Sequence, residues 1–79
     1  MAISAYALVR ISPNKVKNVV SDAKKITGVK VVHPVTGPYD AIIYLEAEDM
    51  KELGKVILAE IHGLDGVIDT TTCLVVDYD

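Results

Sequence analysis

The segment Thr36–Asp40 concentrates groups that can hold an α-amino acid. Its backbone N–H groups can bind a carboxylate, Asp40 can pair with an ammonium group, and the ring of Tyr39 offers an apolar wall. The same segment also suits an ordinary β-turn, in which Gly37 and Pro38 supply particular φ angles and Asp40 caps its own backbone. A turn does not by itself require an aromatic residue. The loop is therefore both a structural turn and a candidate binding site.

Thr70 and Thr72 belong to a run of three threonines near the end of the chain. Side chains two positions apart in a strand point to the same face, so these two hydroxyls can line one side of a polar pocket. β-branched residues are also common in strands for reasons of propensity alone. Both interpretations are open at the level of sequence.

The remaining reactive side chains do not form a recognisable site. His33 and His62 have no metal-ligand spacing to another His, Cys or carboxylate pair. His62 is expected in the last turn of a helix, where the helix dipole favours a cation. Cys73 lies in a strand pattern without a nameable activating base. We therefore expect no catalytic residues, no metal and no cofactor.

Composition restricts the class of protein. The chain has 79 residues, of which 51% are hydrophobic and 24% charged, and its formal net charge is −3 at pH 7. These values predict one folded domain over residues 1–79, and the negative charge disfavours nucleic acid as a partner. One cysteine suits a reducing compartment, and no apolar run approaches the roughly 20 residues that span a bilayer. A cytoplasmic protein without membrane contact is expected.

The chain is predicted to begin with a strand and a helix. Residues 2–11 alternate as a strand with one wholly apolar side. Ser12 followed by Pro13 is typical of a helix start, with a hydroxyl at the N-cap and proline in the first turn. Apolar residues then recur at helical spacing, and Gly28 is placed to end the helix in a left-handed conformation.

Three further strands and a second helix are predicted after Gly28. Strands are predicted at Val29–Val35, Ala41–Ala47 and Val67–Tyr78. Between the last two, Asp49 with Glu52 three residues later resembles the capping box of a second helix. The apolar stripe of that helix is expected at five positions: Met50, Leu53, Val56, Ile57 and Ile61. Gly54 interrupts the stripe, and close packing against another backbone would explain a glycine there. Gly63 is expected to end the helix.

The predicted order β-α-β-β-α-β indicates an α+β, ferredoxin-like sandwich, with a four-stranded antiparallel sheet and two helices on one face. The other face is left bare, and Tyr6, Leu8, Ile42 and Tyr44 are expected on it. A domain this small with no disulfide or metal usually needs another source of stability. An exposed apolar face of this kind usually marks an interface, so at least a dimer is expected.

Across essentially its whole length, the sequence resembles a known regulatory domain. The likeness rests on Ala5–Val9, on Gly28–Val29, on the segment Val32–Asp40 with its Thr-Gly-x-Tyr-Asp loop, on Gly66–Val67 and on the Thr-x-Thr pair. This pattern resembles the RAM domain (regulation of amino acid metabolism) of the Lrp/AsnC transcriptional regulator family.

The resemblance implies a ferredoxin-like fold, dimers joined through their sheets, and dimers associated into a ring, commonly an octamer. It implies an amino-acid effector bound between dimers, its backbone end at Gly37, Tyr39 and Asp40 and its side chain near Thr70 and Thr72. Full-length family members also carry an N-terminal helix-turn-helix, for which these 79 residues leave no room. The expected protein is thus a stand-alone, non-enzymatic effector-binding module that regulates amino-acid metabolism or transcription, alone or mixed with full-length relatives.

Three other interpretations share the predicted fold. An ACT-like regulatory domain has the same element order and also binds amino acids. A small dimeric ferredoxin-like enzyme would need an acid–base set that cannot be named here. A purely structural oligomer would bind no ligand.

Overall fold

The computed structural model describes residues 2–76. Four antiparallel strands form one sheet in the order β2-β3-β1-β4. The strands are β1 (Ile3–Ile11), β2 (Val29–Pro34), β3 (Ala41–Ala47) and β4 (Val67–Leu74). A 3₁₀ turn (Pro13–Lys15) leads into α1 (Val16–Ala23), and α2 (Met50–Lys55) continues as a π-helical segment (Val56–Ile61), called the π segment below. The predicted ferredoxin-like architecture is confirmed.

The core lies between the sheet and the helices, as the alternation in β1 and β3 predicts. Ala5, Ala7 and Val9 of the central strand are completely buried, and so are Ile43 and Leu45 of β3, which pair with Ala7 and Ala5. Small alanines on β1 leave volume for larger side chains from β3 and the helices, as close packing requires. The helical stripes contribute Val19, Ala23, Leu53, Val56, Ile57 and Ile61.

The two βαβ halves are linked by equivalent hydrogen bonds. The N–H of Glu46 donates to the carbonyl of Gly28 (2.9 Å), and the N–H of Ser12 donates to the carbonyl of Gly66 (2.8 Å). Each glycine precedes a strand of its own half and contacts the other half. Both have positive φ, +97° at Gly28 and +106° at Gly66, a region that glycine enters without strain. The internal repeat seen in the sequence is therefore a repeat of structure.

Several predicted boundaries are corrected. Ser12 stands at the helix N-cap, but its side chain makes no capping hydrogen bond. The first helix ends at Ala23, so Gly28 shapes the entry to β2 instead of ending the helix. Strand β4 ends at Leu74, and the predicted strand residues 77 and 78 lie outside the described residues.

The second helix begins as predicted but differs in its interior. Asp49 Oδ1 accepts from the N–H of Glu52 (2.8 Å), which confirms the N-cap. The return bond of the box goes from the N–H of Glu48 to Glu52 Oε1 (2.6 Å), one residue before the expected donor. Gly54 is not explained by close packing in this chain, because a Cβ added there would meet no atom within 4 Å.

Candidate functional site

The loop Thr36–Asp40 joins β2 to β3. Two backbone hydrogen bonds of Asp40 hold it in place. The N–H of Val35 donates to the carbonyl of Asp40 (3.0 Å), and the N–H of Asp40 donates to the carbonyl of Val9 (2.9 Å). These bonds continue the pairing on either side of the loop. The loop is thus anchored on the central strand β1, as a binding loop on a rigid scaffold requires.

The carboxylate of Asp40 has a structural partner that the sequence did not reveal. Its Oδ2 accepts from the backbone N–H of Ile11 at 2.7 Å, in a partly buried position. The β1–β3 register ends at Val9 and Ala41, so this carboxylate takes up the next backbone donor of β1. A carboxylate has more than one acceptor site. Asp40 can therefore hold the loop in place and still offer an oxygen to a ligand cation.

Gly37 and Tyr39 meet different requirements within the loop. Gly37 is exposed with φ +129°, and an added Cβ would have ordinary contacts at 3.8 Å or more, so backbone conformation and not space requires glycine. Tyr39 is half-buried, so part of its surface is open to solvent. Tyr39, whose ring is the predicted aromatic wall, thus directly precedes Asp40 in the sequence and is partly accessible to solvent.

Thr70 and Thr72 share one face of β4, as predicted, and it is the face that the helices cover. Their register partners on β1 are the buried residues Val9 and Ala7. The Thr70 hydroxyl lies 3.3 Å from Nδ1 of His62, which follows the π segment. Thr72 is exposed and lines a groove between β4 and the second helix. The two hydroxyls therefore have different surroundings.

The loop and the threonines flank the same strand from opposite sides. Asp40 bonds to the carbonyl of Val9 on the β3 side, while Thr70 pairs with Val9 on the β4 side. Neighbouring strands lie about 4.8 Å apart, so the backbones of Asp40 and Thr70 are roughly 10 Å apart, with β1 between them. Thr72 lies two residues farther along β4. The structure therefore places the loop and Thr70 near the same end of the sheet, on opposite sides of β1, and Thr72 nearer the middle of the sheet.

The groove beside Thr72 is the feature that sequence reasoning missed. It has a volume of about 340 Å³, and its helical wall consists of Met50, Leu53, Gly54, Ile57 and Leu58. Met50 was expected in the core stripe but is 58% exposed, and Leu58, outside that stripe, is 73% exposed. A large apolar residue outside the buried stripe was the available signal for a partly open apolar wall.

The opposite face of the sheet carries the four predicted apolar side chains, together with charged ones such as Arg10 and Glu46. Tyr6 is 43% exposed, and its ring packs against Tyr44 with centroids 5.0 Å apart. Leu8 and Ile42 pair across β1 and β3 and are half-buried. Because Tyr6 pairs with Tyr44 and Leu8 with Ile42 two residues away, these two aromatic and two aliphatic side chains lie next to one another.

Within residues 2–76, no group of three or more His, Cys, Asp or Glu side chains is arranged to hold a metal ion. In the same part of the chain, no helix is long and apolar enough to cross a membrane.

The chain is thus a small ferredoxin-like sandwich with an anchored loop at one end of its sheet and a pair of threonines across the central strand. The model of one family, described as the Lrp/AsnC ligand binding domain, matches residues 4–77. The chain belongs to this family, and the predicted resemblance is confirmed.

Relatives agree with this assignment, and solved structures agree with the fold. The HTH-type transcriptional regulator PH0140 of Pyrococcus horikoshii is 35% identical over 72 residues, which cover 91% of this chain and 46% of the regulator. TTHA0845 of Thermus thermophilus is 33% identical with a TM-score of 0.90, and the match covers 95% of this chain and 94% of that one. The transcriptional regulator NMB0573 of Neisseria meningitidis, solved as an L-Met complex, is 19% identical with a TM-score of 0.86, over 96% of this chain and 51% of that one.

These matches differ in how much of each protein they cover. The chain spans about half the length of the curated transcriptional regulators that it matches. It spans nearly all of TTHA0845. The family is one of ligand-binding domains of transcriptional regulators, not of enzymes.

Proposed function

We propose that this chain is an oligomeric amino-acid-binding module that regulates amino-acid metabolism or transcription. The family supplies the ligand-binding role in regulators. The amino-acid class is supported by the groups in the loop, where Tyr39 is partly accessible and Asp40 keeps acceptor capacity beyond its bond to Ile11. The complex of NMB0573 with L-Met is a further support at the level of the fold.

One observation carries the proposal that the site is shared between copies. Asp40 and Thr70 reach Val9 from opposite sides, so β1 separates the loop from the threonines. An effector that touches both sets takes the loop from one copy and Thr70 and Thr72 from another. Effector binding then stabilises the assembly that contains the complete site, since a ligand favours whichever state binds it.

The open sheet face supports a dimer as the unit of that assembly. Tyr6, Leu8, Ile42 and Tyr44 form an apolar patch that a second sheet can cover. Dimers joined in this way leave the loop and the threonines uncovered for contacts between dimers, in a ring of dimers such as an octamer.

We propose that the module acts without DNA contacts of its own. Its net charge of −3 disfavours phosphate binding, and TTHA0845 is a chain composed almost entirely of this domain. Partners for regulation are further copies of itself or full-length Lrp/AsnC relatives, which carry the DNA-binding part. The proposed location is the cytoplasm, where such regulators act.

The first test is a thermal-shift screen of the standard amino acids at several protein concentrations, with particle mass measured by light scattering. We expect at least one amino acid to raise Tm and to increase the particle mass to a higher multiple of the subunit mass of 8.5 kDa. A monomer at high concentration that responds to no amino acid contradicts the proposal.

The sharper test is complementation between two variants. Asp40→Asn removes the charge but keeps an acceptor for the Ile11 N–H, and Thr72→Val removes the hydroxyl at nearly constant shape. Each variant alone binds the effector at least about tenfold more weakly, a change of about 1.4 kcal/mol.

Subunits of the two variants, mixed by unfolding and refolding together, regain a fraction of sites with wild-type affinity. Such a site takes its loop from the Thr72→Val copy and its threonines from the Asp40→Asn copy. Mixing Asp40→Asn with Asp40→Ala is the matched control and restores nothing. Failure of the first mixture to recover binding contradicts a shared site, while retained amino-acid binding by the wild type keeps the binding role.

A further inference from the structure

The hydroxyl of Thr70 has one side-chain partner within residues 2–76, and that partner is His62. Nδ1 of the imidazole lies 3.3 Å from Oγ1 of Thr70. Thr70 is half-buried and His62 is exposed, so the pair stands at the surface, where a bound molecule can reach it. His62 therefore touches a residue of the proposed effector site but is not one of the residues predicted to bind the effector.

The π segment brings the ring of His62 to β4. The N–H of His62 donates to the carbonyl of Ile57 (2.9 Å), five residues back, whereas an α-helix uses the carbonyl four residues back. π-helical turns are rare and are frequent at functional sites. His62 caps the π segment and Thr70 belongs to β4, so the backbones of two regular elements hold the contact.

The protonation state of His62 decides what the Thr70 hydroxyl can offer to a ligand. A hydroxyl has one proton to donate, and its oxygen can also accept. A neutral imidazole carries one N–H, so Nδ1 either accepts the hydroxyl proton or donates its own. In the charged imidazolium both nitrogens donate, so Oγ1 accepts from Nδ1 and its proton points away from the ring. Charging His62 thus fixes the hydroxyl as a donor toward a bound molecule and adds a positive charge beside it.

The other charged groups on the elements around His62 are carboxylates. Glu60 lies in the π segment, Asp65 in the following turn and Asp69 on β4. Asp65 is already engaged in an ion pair, and Asp69 Oδ1 accepts from the backbone N–H of Thr70 (3.0 Å). Carboxyl groups ordinarily lose their protons below the range of about pH 5 to 8 in which histidine changes its charge. His62 is therefore the side chain of this region that responds to pH within that range.

We propose that His62 is a positioning residue of the effector site, which acts through the Thr70 hydroxyl and makes effector selectivity depend on pH. The inference rests on the proposed function, because Thr70 is one of the predicted binding residues. In acid, the charged ring and the donating hydroxyl favour an amino acid with a side-chain carboxylate. When the ring is neutral, the hydroxyl can accept as well as donate, and an uncharged side-chain amide is favoured over a carboxylate.

The test compares glutamate with glutamine, and aspartate with asparagine, because the members of each pair have nearly the same shape and differ in charge. Titration calorimetry measures their affinities for the wild type at about pH 5.5 and about pH 7.5, between which the acidic side chains stay ionised. The preference for the carboxylate over the amide rises in acid by about fivefold or more, a typical coupling between two sites.

Two histidine variants assign this rise to one residue. His62→Asn places an uncharged amide near the position of Nδ1, so it keeps a partner for Thr70 and abolishes the rise. His33→Asn is the matched control, since His33 is also exposed but pairs with Ile42 on the opposite face of the sheet. It keeps the rise. Thr70→Val removes the hydroxyl, leaves His62 in place and diminishes the rise.

The outcomes separate this inference from the function beneath it. If no amino acid binds the wild type, the proposed function fails. If amino acids bind but the carboxylate preference is the same at both pH values, or if only apolar amino acids bind, the binding role stands and the role of His62 is overturned. A rise that survives in His62→Asn also overturns it, and a full rise in Thr70→Val overturns action through the hydroxyl.

Discussion

The two βαβ halves share the features that stabilise the fold and differ in the features available for binding. Each half enters its second strand through a positive-φ glycine, Gly28 or Gly66, which contacts the other half. Both helices border a groove, but they differ in their own structure: α1 contains no glycine, whereas α2 contains Gly54 and continues as the π segment.

This difference shows which positions of the repeated βαβ unit can vary. The hydrogen bonds at Gly28 and Gly66 join the two halves, so glycine is required at both positions. The outer surface of a helix beside an edge strand is under no such constraint. Because β4 is the edge strand next to the second helix, a groove there opens to solvent or to another copy. Substitutions at matched positions of the two halves test the comparison.

The largest effect is expected at the shared glycine links. In Gly66→Ala the new Cβ overlaps Lys15, and in Gly28→Ala it lies 2.7 Å from the carbonyl oxygen of Glu46, each at a positive φ. Steric overlap and backbone strain add, so each substitution lowers the free energy of unfolding by about 3 kcal/mol. Urea unfolding measures it. Gly54→Ala, in open space, is the control and stabilises by up to about 1 kcal/mol. A loss at only one of the two links would break the equivalence of the halves.

A smaller effect distinguishes the two helix starts. Asp49 accepts from the N–H of Glu52, while the Ser12 side chain makes no capping bond. Asp49→Ala therefore costs about 1 kcal/mol of unfolding free energy, and Ser12→Ala changes it by less than about 0.3 kcal/mol. Thermal unfolding of the two variants side by side measures the difference. Equal losses would mean that Ser12 caps its helix in solution.

The smallest effect is expected for an ion pair beside Gly66; within residues 2–76, no matching pair lies beside Gly28. Lys15 Nζ lies 3.0 Å from Asp65 Oδ2 beside Gly66, and both side chains are partly or fully exposed. Asp65→Asn keeps the shape and removes the charge, and it costs less than about 0.5 kcal/mol because water screens exposed pairs. The loss is measured at low and high salt, where it shrinks. A salt-independent loss would assign another role to Asp65.

Sequence reasoning was accurate where a local pattern has one physical meaning. Alternation in β1 and β3 identified the buried face, because side chains in a strand alternate with period two. Asp49 and Glu52 identified a helix start through their own hydrogen bonds. The family pattern in the loop and at Thr70 and Thr72 led to the assignment that the family model confirms. The roles of these site residues stay predictions.

Other features depended on contacts between distant segments, so no local pattern could predict them. The hydrogen bond from the N–H of Ile11 to Asp40 joins residues 29 positions apart. It gives the Asp40 carboxylate, which is predicted to bind the ligand, a structural role as well. The groove exists because α2 lies beside β4, which leaves Leu58 outside the core and Gly54 next to open space. Helical spacing alone assigned Met50 to the core.

The amino-acid sequence by itself determined the order of the elements, the buried face of the sheet and the family, because each depends on residues close together in the chain. The tertiary structure decided that β1 separates the loop Thr36–Asp40 from Thr70 and Thr72, and that an apolar groove adjoins Thr72. The reason is the strand order. It places β1 between β3 and β4, and only the folded sheet sets which segments lie on either side of it.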